Sequence, residues 1–264
     1  MDFKKSIIIA STLHEPKFRL KAALDKALPF IKKNLENIIV SCTSLTSREV
    51  LNYLEKNDFK VIIPSRDDRI ETYLEAIKFS KKIAVNNPKS RILYIDFDRL
   101  IHWINNYPDE LIKTLKKAMG VELLHIGRSK RAFSTHPDTQ QKTERIINSL
   151  CSKSLNFTES RDIISVCYSF IPQLADRLLE YNYKTEMGFY CLWPIILWIN
   201  ANNKSYIEVE GQEWETPDRF ENEIKKLGYN KWLQNFQSAS EWEMRVKLLE
   251  DCIEEFANFV NFSF

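Results

Sequence analysis

Two aspartates one residue apart, Asp96 and Asp98, follow directly on the apolar run Ile92 to Ile95. On an extended strand side chains alternate, so this spacing aims both carboxylates to one side of the backbone. Like charges held that close raise each other's pKa unless a cation lies between them. Mg²⁺ is commonly held by one or two carboxylates together with phosphate oxygens, so such a pair at a strand tip fits a metal-bound diphosphate. The plainer reading is a solvated strand end, with Asp98 capping a helix that begins at Arg99.

Other polar residues follow other strand-like runs. Thr12, His14 and Glu15 come after the first, Ser44 after the second, and Ser65 to Arg69 after the third. Arg128, Lys130 and Arg131 follow the fifth, where guanidinium forks suit a diphosphate or an acceptor phosphate or carboxylate. The plainer reading there is an exposed basic loop. Arg99, directly after the acidic pair, is itself able to neutralise a diphosphate.

Several chemistries lack their residues. There is no G-x-x-x-x-G-K-[ST] or G-x-G-x-x-G cradle for phosphates and no G-x-S-x-G nucleophile elbow. The four histidines show no metal-ligand spacing, and His102 and His125 sit in apolar stretches as expected core residues. Five scattered cysteines without a CxxC read as small apolar residues in a reducing compartment. A net charge of +2 gives no field that would favour nucleic acid or an anionic membrane. No apolar run approaches the roughly 20 residues that span a bilayer, so a cytoplasmic protein without a transmembrane segment is expected.

The elements that must position these residues alternate along the first half. Strands are expected at Ser6–Thr12, Asn37–Thr43, Lys60–Pro64, Arg91–Asp96 and Glu122–Gly127. Helices are expected at Lys17–Leu35, Ser47–Lys56, Ile70–Val85 and Pro108–Met119, with Thr46 and Glu49 as a capping box for the second. Near-continuous apolar strands alternating with amphipathic helices predict an α/β fold, a mostly parallel sheet covered by helices on both faces. Ligands of such sheets bind beyond the carboxyl ends of the strands, where the polar residues above fall. Further on, Ile163–Phe170 and Tyr206–Val209 read as strands. The chain after about Pro217 reads as helical, with a 3.6-residue apolar face from Glu241 to Phe259.

Four strand–helix units leading to Tyr94-Ile95-Asp96-Phe97-Asp98 resemble the GT-A glycosyltransferase superfamily over roughly residues 6–200. The resemblance implies that Asp96 and Asp98 hold Mg²⁺ or Mn²⁺ and the diphosphate of a nucleotide-diphospho-sugar. It implies that Thr12, Glu15, Ser44 and Asp68, the last within Ser65-Arg66-Asp67-Asp68-Arg69, lie near the nucleoside. Arg99, Arg128 and Arg131 would meet the donor's negative charge. Glu186 falls where many relatives carry the acid that takes the acceptor's proton. The expected organisation is a GT-A-like domain over 1–210 with a helical extension over 211–264. The expected activity is glycosyl transfer to a small or lipid-linked acceptor. A phosphatase of the haloacid-dehalogenase type is a weaker alternative, because its Asp-x-Asp ends the first strand. The other alternative is a non-catalytic nucleotide- or protein-binding module on the same fold.

Overall fold

The computed structural model describes residues 3–66, 68–85, 87 and 89–263. A single sheet organises them, with strands β1 (Ile7–Leu13), β2 (Asn37–Cys42), β3 (Lys60–Ile62), β4 (Arg91–Tyr94), β5 (Leu123–Arg128), β6 (Tyr168–Phe170) and β7 (Lys204–Val209). Their order is β3-β2-β1-β4-β6-β5-β7. Every pairing is parallel except the two made by β6, which runs against β4 and β5.

All of β1 is buried, as its unbroken Ile-Ile-Ile-Ala run requires of a strand covered on both faces. Ile7 and Ile9 pack into the core beneath the Lys21–Asn34 and Phe97–Asn106 helices. Ala10 faces the opposite core with Tyr94, Ile77 and Trp193. The period of two along one strand thus feeds two separate cores.

Three local expectations are corrected. The helix Arg48–Lys56 is capped by Ser47, whose hydroxyl accepts from the Val50 amide at 3.4 Å. Thr46 is drawn away from that role because its hydroxyl donates to the Leu13 carbonyl at 3.3 Å. Strand β4 ends at Tyr94, although the Ile95 amide still reaches the Ala10 carbonyl of β1. Asp96 is the extended N-cap residue of the Phe97–Asn106 helix and Asp98 lies in its first turn, so strand alternation does not set their direction. Only Tyr168–Phe170 of the expected 163–170 strand pairs in the sheet. Upstream, the Ile163 and Ile164 amides donate to the Asn148 side chain instead of a ladder.

The helix Ala239–Ser263 packs against the helices Asp138–Ser154 and Phe189–Asn200. It comes close at Gly188, where a Cβ would lie 2.3 Å from the Glu255 Cβ. His125 is buried and bonded to the Asp162 carbonyl, and His102 is buried between Asp218 and Glu213, as core residues with partners. All five cysteines are free and buried. Among the described residues, no helix is long and apolar enough to cross a membrane.

Candidate active site

Beyond the carboxyl ends of β1 and β4 lies a cleft of about 460 Å³. Its floor is Thr12 from β1 with Asp96 and Asp98, and one rim is Asp68 and Arg69 at the start of the Arg69–Ala84 helix. Tyr73 and Tyr190 form an aromatic side, their hydroxyls 2.7 Å apart. Glu215 and Arg219, from the turn after β7, complete the wall.

Asp96 is fixed by two hydroxyls, Thr12 Oγ1 at 3.2 Å and Tyr94 Oη at 3.3 Å, both donating to Oδ1. Among the described residues, Oδ2 of Asp96 has no hydrogen-bond donor. Burial raises the Asp96 pKa, and the nearby Glu215 charge adds to this against the pull of Arg99. Asp98 accepts from its neighbour's amide, Arg99 N, at 2.9 Å and faces Arg219 Nη1 at 3.1 Å. Burial first, then the charge of Glu215, pushes Asp98 up to about 7 despite Arg219. Burial also acts to raise Glu215, but the Arg99 guanidinium outweighs it and holds the acid below its ordinary range.

The other expected site residues divide. Thr12, Asp68, Asp96 and Asp98 line the one cleft. Asp68 also caps its helix, accepting from the Ile70 amide at 3.1 Å. Glu15 is buried just outside the wall, 3.8 Å from Arg219. Ser44 is an exposed turn residue between Thr43 and Leu45, which do reach the cleft. Asp67 lies outside the described residues.

Arg99 is buried and spans from Glu215, at 3.4 Å, to the Ser165 carbonyl, at 2.5 Å. It borders a second recess and not the cleft itself. Arg128 is wholly buried, held by Asp162 at 2.7 Å and Glu144 at 2.6 Å. Its charge is consumed inside the protein, so it does not meet a ligand in the cleft. Arg131 is half-exposed and is taken by Glu210 and Glu213. The reason is topological: β6 lies between β4 and β5, so the β5 tip is displaced from the acidic pair by one strand more than the sequence order suggests. Glu186 is 63% exposed, 3.7 Å from Arg69, and not on the cleft wall. Met187 and Phe189, close to it in sequence, are buried.

Sequence reading missed Glu215, Arg219, Tyr73 and Tyr190. The first two had a usable signal. Glu213-Trp214-Glu215-Thr216-Pro217 follows the last strand, and residues just past each strand were the ones to inspect. The segment expected as an extension therefore supplies two charged groups to the cleft.

Acids dominate the floor: Asp96, Asp98 and Glu215 face Arg219, with Arg99 behind. Among the described residues no group of three or more His, Cys, Asp or Glu side chains is placed to hold a metal unaided. Asp96 and Asp98, whose protons are held by burial and the charge of Glu215, nevertheless suit a cation that brings further oxygen ligands.

The chain is similar in structure to glucosyl-3-phosphoglycerate synthase from Mycobacterium tuberculosis. Against its crystal structure with Mn²⁺, UDP-glucose and phosphoglyceric acid, the TM-score is 0.53 at 11% identity, covering 77% of this chain and 69% of that one. Against the complex with phosphoglyceric acid alone, the TM-score is 0.51 at 12% identity, covering 77% and 70%. The fold is that of the GT-A glycosyltransferases. At this identity the GT-A likeness is one of fold. No protein-family model matches the chain, and no curated protein matches it by sequence.

Proposed function

We propose that this GT-A fold transfers a glycosyl group from a nucleotide-diphospho-sugar to a hydroxyl of an acceptor. The reading rests on one observation above all: Thr12, Asp68, Asp96 and Asp98 converge on a single cleft beyond the carboxyl ends of β1 and β4. That is the crevice in which open α/β sheets bind nucleotides. The fold neighbour named above was crystallised with a UDP-sugar and Mn²⁺.

In this reading the nucleoside would lie toward Thr12 and Asp68, and Asp96 and Asp98 would hold the Mg²⁺ or Mn²⁺ that accompanies the diphosphate. The donor set fits such an ion, since Oδ2 of Asp96 is free of donors among the described residues and Asp98 is buried beside the charge of Glu215. When bound, the ion supplies Lewis-acid stabilisation of charge on the departing diphosphate. The acceptor oxygen forms the new bond to the anomeric carbon as the bond to diphosphate breaks. The hydroxyl proton passes to a departing diphosphate oxygen or to solvent water, and nucleoside diphosphate leaves. Thr12 and Tyr94 keep the Asp96 carboxylate in place through their hydroxyls. Arg219 contributes positive charge beside Asp98. Arg128, Arg131 and Glu186 stand outside this catalytic set.

Thermal melts with UDP-, GDP- and CDP-sugars test the proposal, each with and without Mn²⁺. A midpoint rise with one nucleotide class that depends on Mn²⁺ is expected. Absence of any shift across all three would favour a non-catalytic module.

A further inference from the structure

A second recess of about 260 Å³ opens beside the cleft and shares Arg69, Asp96, Tyr190 and Glu215 with it. Its far wall comes from late in the chain, with Trp214, Met244 and Leu248 providing apolar surface and Arg245 a guanidinium. Val166, at φ 56°, also lines it. A β-branched residue in the left-handed region is strained, and such strain is retained mostly where a binding surface needs it.

The charges of the recess are unevenly matched. Two of its acids have close cations, Glu144 at 2.6 Å from Arg128 and Glu215 at 3.4 Å from Arg99, while Asp96 is held by hydroxyls alone among the described residues. Its remaining cations do not have close acids. Arg245 comes no nearer than 3.9 Å to Glu144; its Nη2 donates to Gln140 Oε1 at 3.1 Å, and its buried Nε has no partner among the described residues. Arg69 is 3.7 Å from Glu186, which is largely exposed. His136, buried close by, is kept neutral first by burial and then by the charges of Arg128, Arg99 and Arg245. Arg245 and Arg69 are thus left with no acid nearer than 3.7 Å among the described residues.

We infer that this recess is the acceptor site, and that it takes a small hydroxyl compound carrying one phosphate or carboxylate, which Arg245 and Arg69 bind while Trp214 lies against its carbon skeleton. The assignment of an acceptor role rests on the proposed transferase reading; the anion site does not. Arg245 is here a specificity-determining residue supplied by the Ala239–Ser263 helix. Arg forks bind such groups in bidentate fashion, which a neutral polyol would not exploit.

Glycerol phosphate serves as the probe, with inorganic phosphate and neutral glycerol as controls, read by tryptophan fluorescence in the full chain with Mn²⁺ and nucleoside diphosphate present. Glycerol phosphate should give a saturable change that disappears in Trp214→Phe and needs at least tenfold more ligand in Arg245→Gln. Inorganic phosphate should act more weakly through the same residues, and glycerol should do nothing. An equal response to glycerol, a signal that survives in Trp214→Phe, or an unchanged midpoint in Arg245→Gln would each overturn the inference. Arg245→Lys, which keeps the charge, should recover part of the affinity and replaces Arg245→Gln if that variant does not fold. Nucleoside diphosphate binding is scored separately by melting. Its failure alone would remove the transferase reading, whereas loss of the glycerol phosphate response alone would remove the acceptor class.

Discussion

Arg219 Nη1 lies 3.1 Å from Asp98 Oδ2, joining a turn late in the chain to the first turn of the helix after β4. The contact closes one side of the cleft and places a guanidinium where charge on a diphosphate would fall. Arg219→Ala should leave the melting midpoint within a few degrees of wild type, because the arginine is partly exposed. Nucleotide affinity should fall about tenfold, the scale of one charge-assisted hydrogen bond. Calorimetric titration with nucleoside diphosphate and Mn²⁺ would measure this, and unchanged affinity would take Arg219 out of the site.

Asp96→Asn tests the metal. The substitution removes a buried charge while keeping an oxygen for the Thr12 and Tyr94 hydroxyls. Stability should hold or rise, and Mn²⁺-dependent nucleotide binding should weaken by more than the roughly 10–100-fold typical of losing an outer-shell partner. Retained Mn²⁺ dependence would contradict the role.

The pH dependence follows from Asp98. Its folded pKa of about 7 lies above the ordinary 3.8, so between those values the folded protein holds a proton that the unfolded chain has released. In the metal-free protein this contribution is intact below about pH 4 and is lost as the pH rises toward 7. Asp96, also raised, acts in the same direction. Denaturant midpoints at pH 5 and pH 8 should differ less in Asp98→Asn than in wild type. A slope unaltered by the substitution would assign the effect elsewhere.

Arg128→Ala should behave as a core lesion. It leaves Asp162 and Glu144 buried without their cation, a loss of about 3–5 kcal/mol. Arg131→Ala, whose partners are at the surface, should cost no more than about 1 kcal/mol. Urea unfolding of the two variants separates these expectations, and similar values would refute the structural role given to Arg128.

Gly188→Ala probes the seat of the terminal helix. A Cβ there would meet Thr185 Oγ1 at 2.3 Å and the Asp251 carbonyl at 2.7 Å. The added methyl should destabilise by about 1–3 kcal/mol, as overpacking does. A wild-type unfolding curve would mean that the helix yields freely.

The parallel half of the sheet was legible because β1, β2, β4 and β5 are apolar runs that burial on both faces explains, while the edge strand β3 is only half-buried. Thr12, Asp68, Asp96 and Asp98 were legible for the same reason, since a strand's end fixes where its next polar residue must lie. Arg128 was misplaced because local pattern does not tell where β6 inserts in the sheet, a three-residue strand whose partners are distant in sequence. Glu215, Arg219 and Arg245 reach the site through tertiary packing of short turns and a long helix. A periodicity reading sees there only a solvated or core-facing surface.

The Tyr73–Tyr190 hydroxyl contact has a consequence for how the two hollows communicate. One ring belongs to the helix that borders the nucleotide side, and the other borders both hollows. Occupancy of either hollow that turned the Tyr190 ring would be felt at once by its partner phenol. That hydroxyl pair thus joins the two chambers alongside Asp96 and Glu215, which line both.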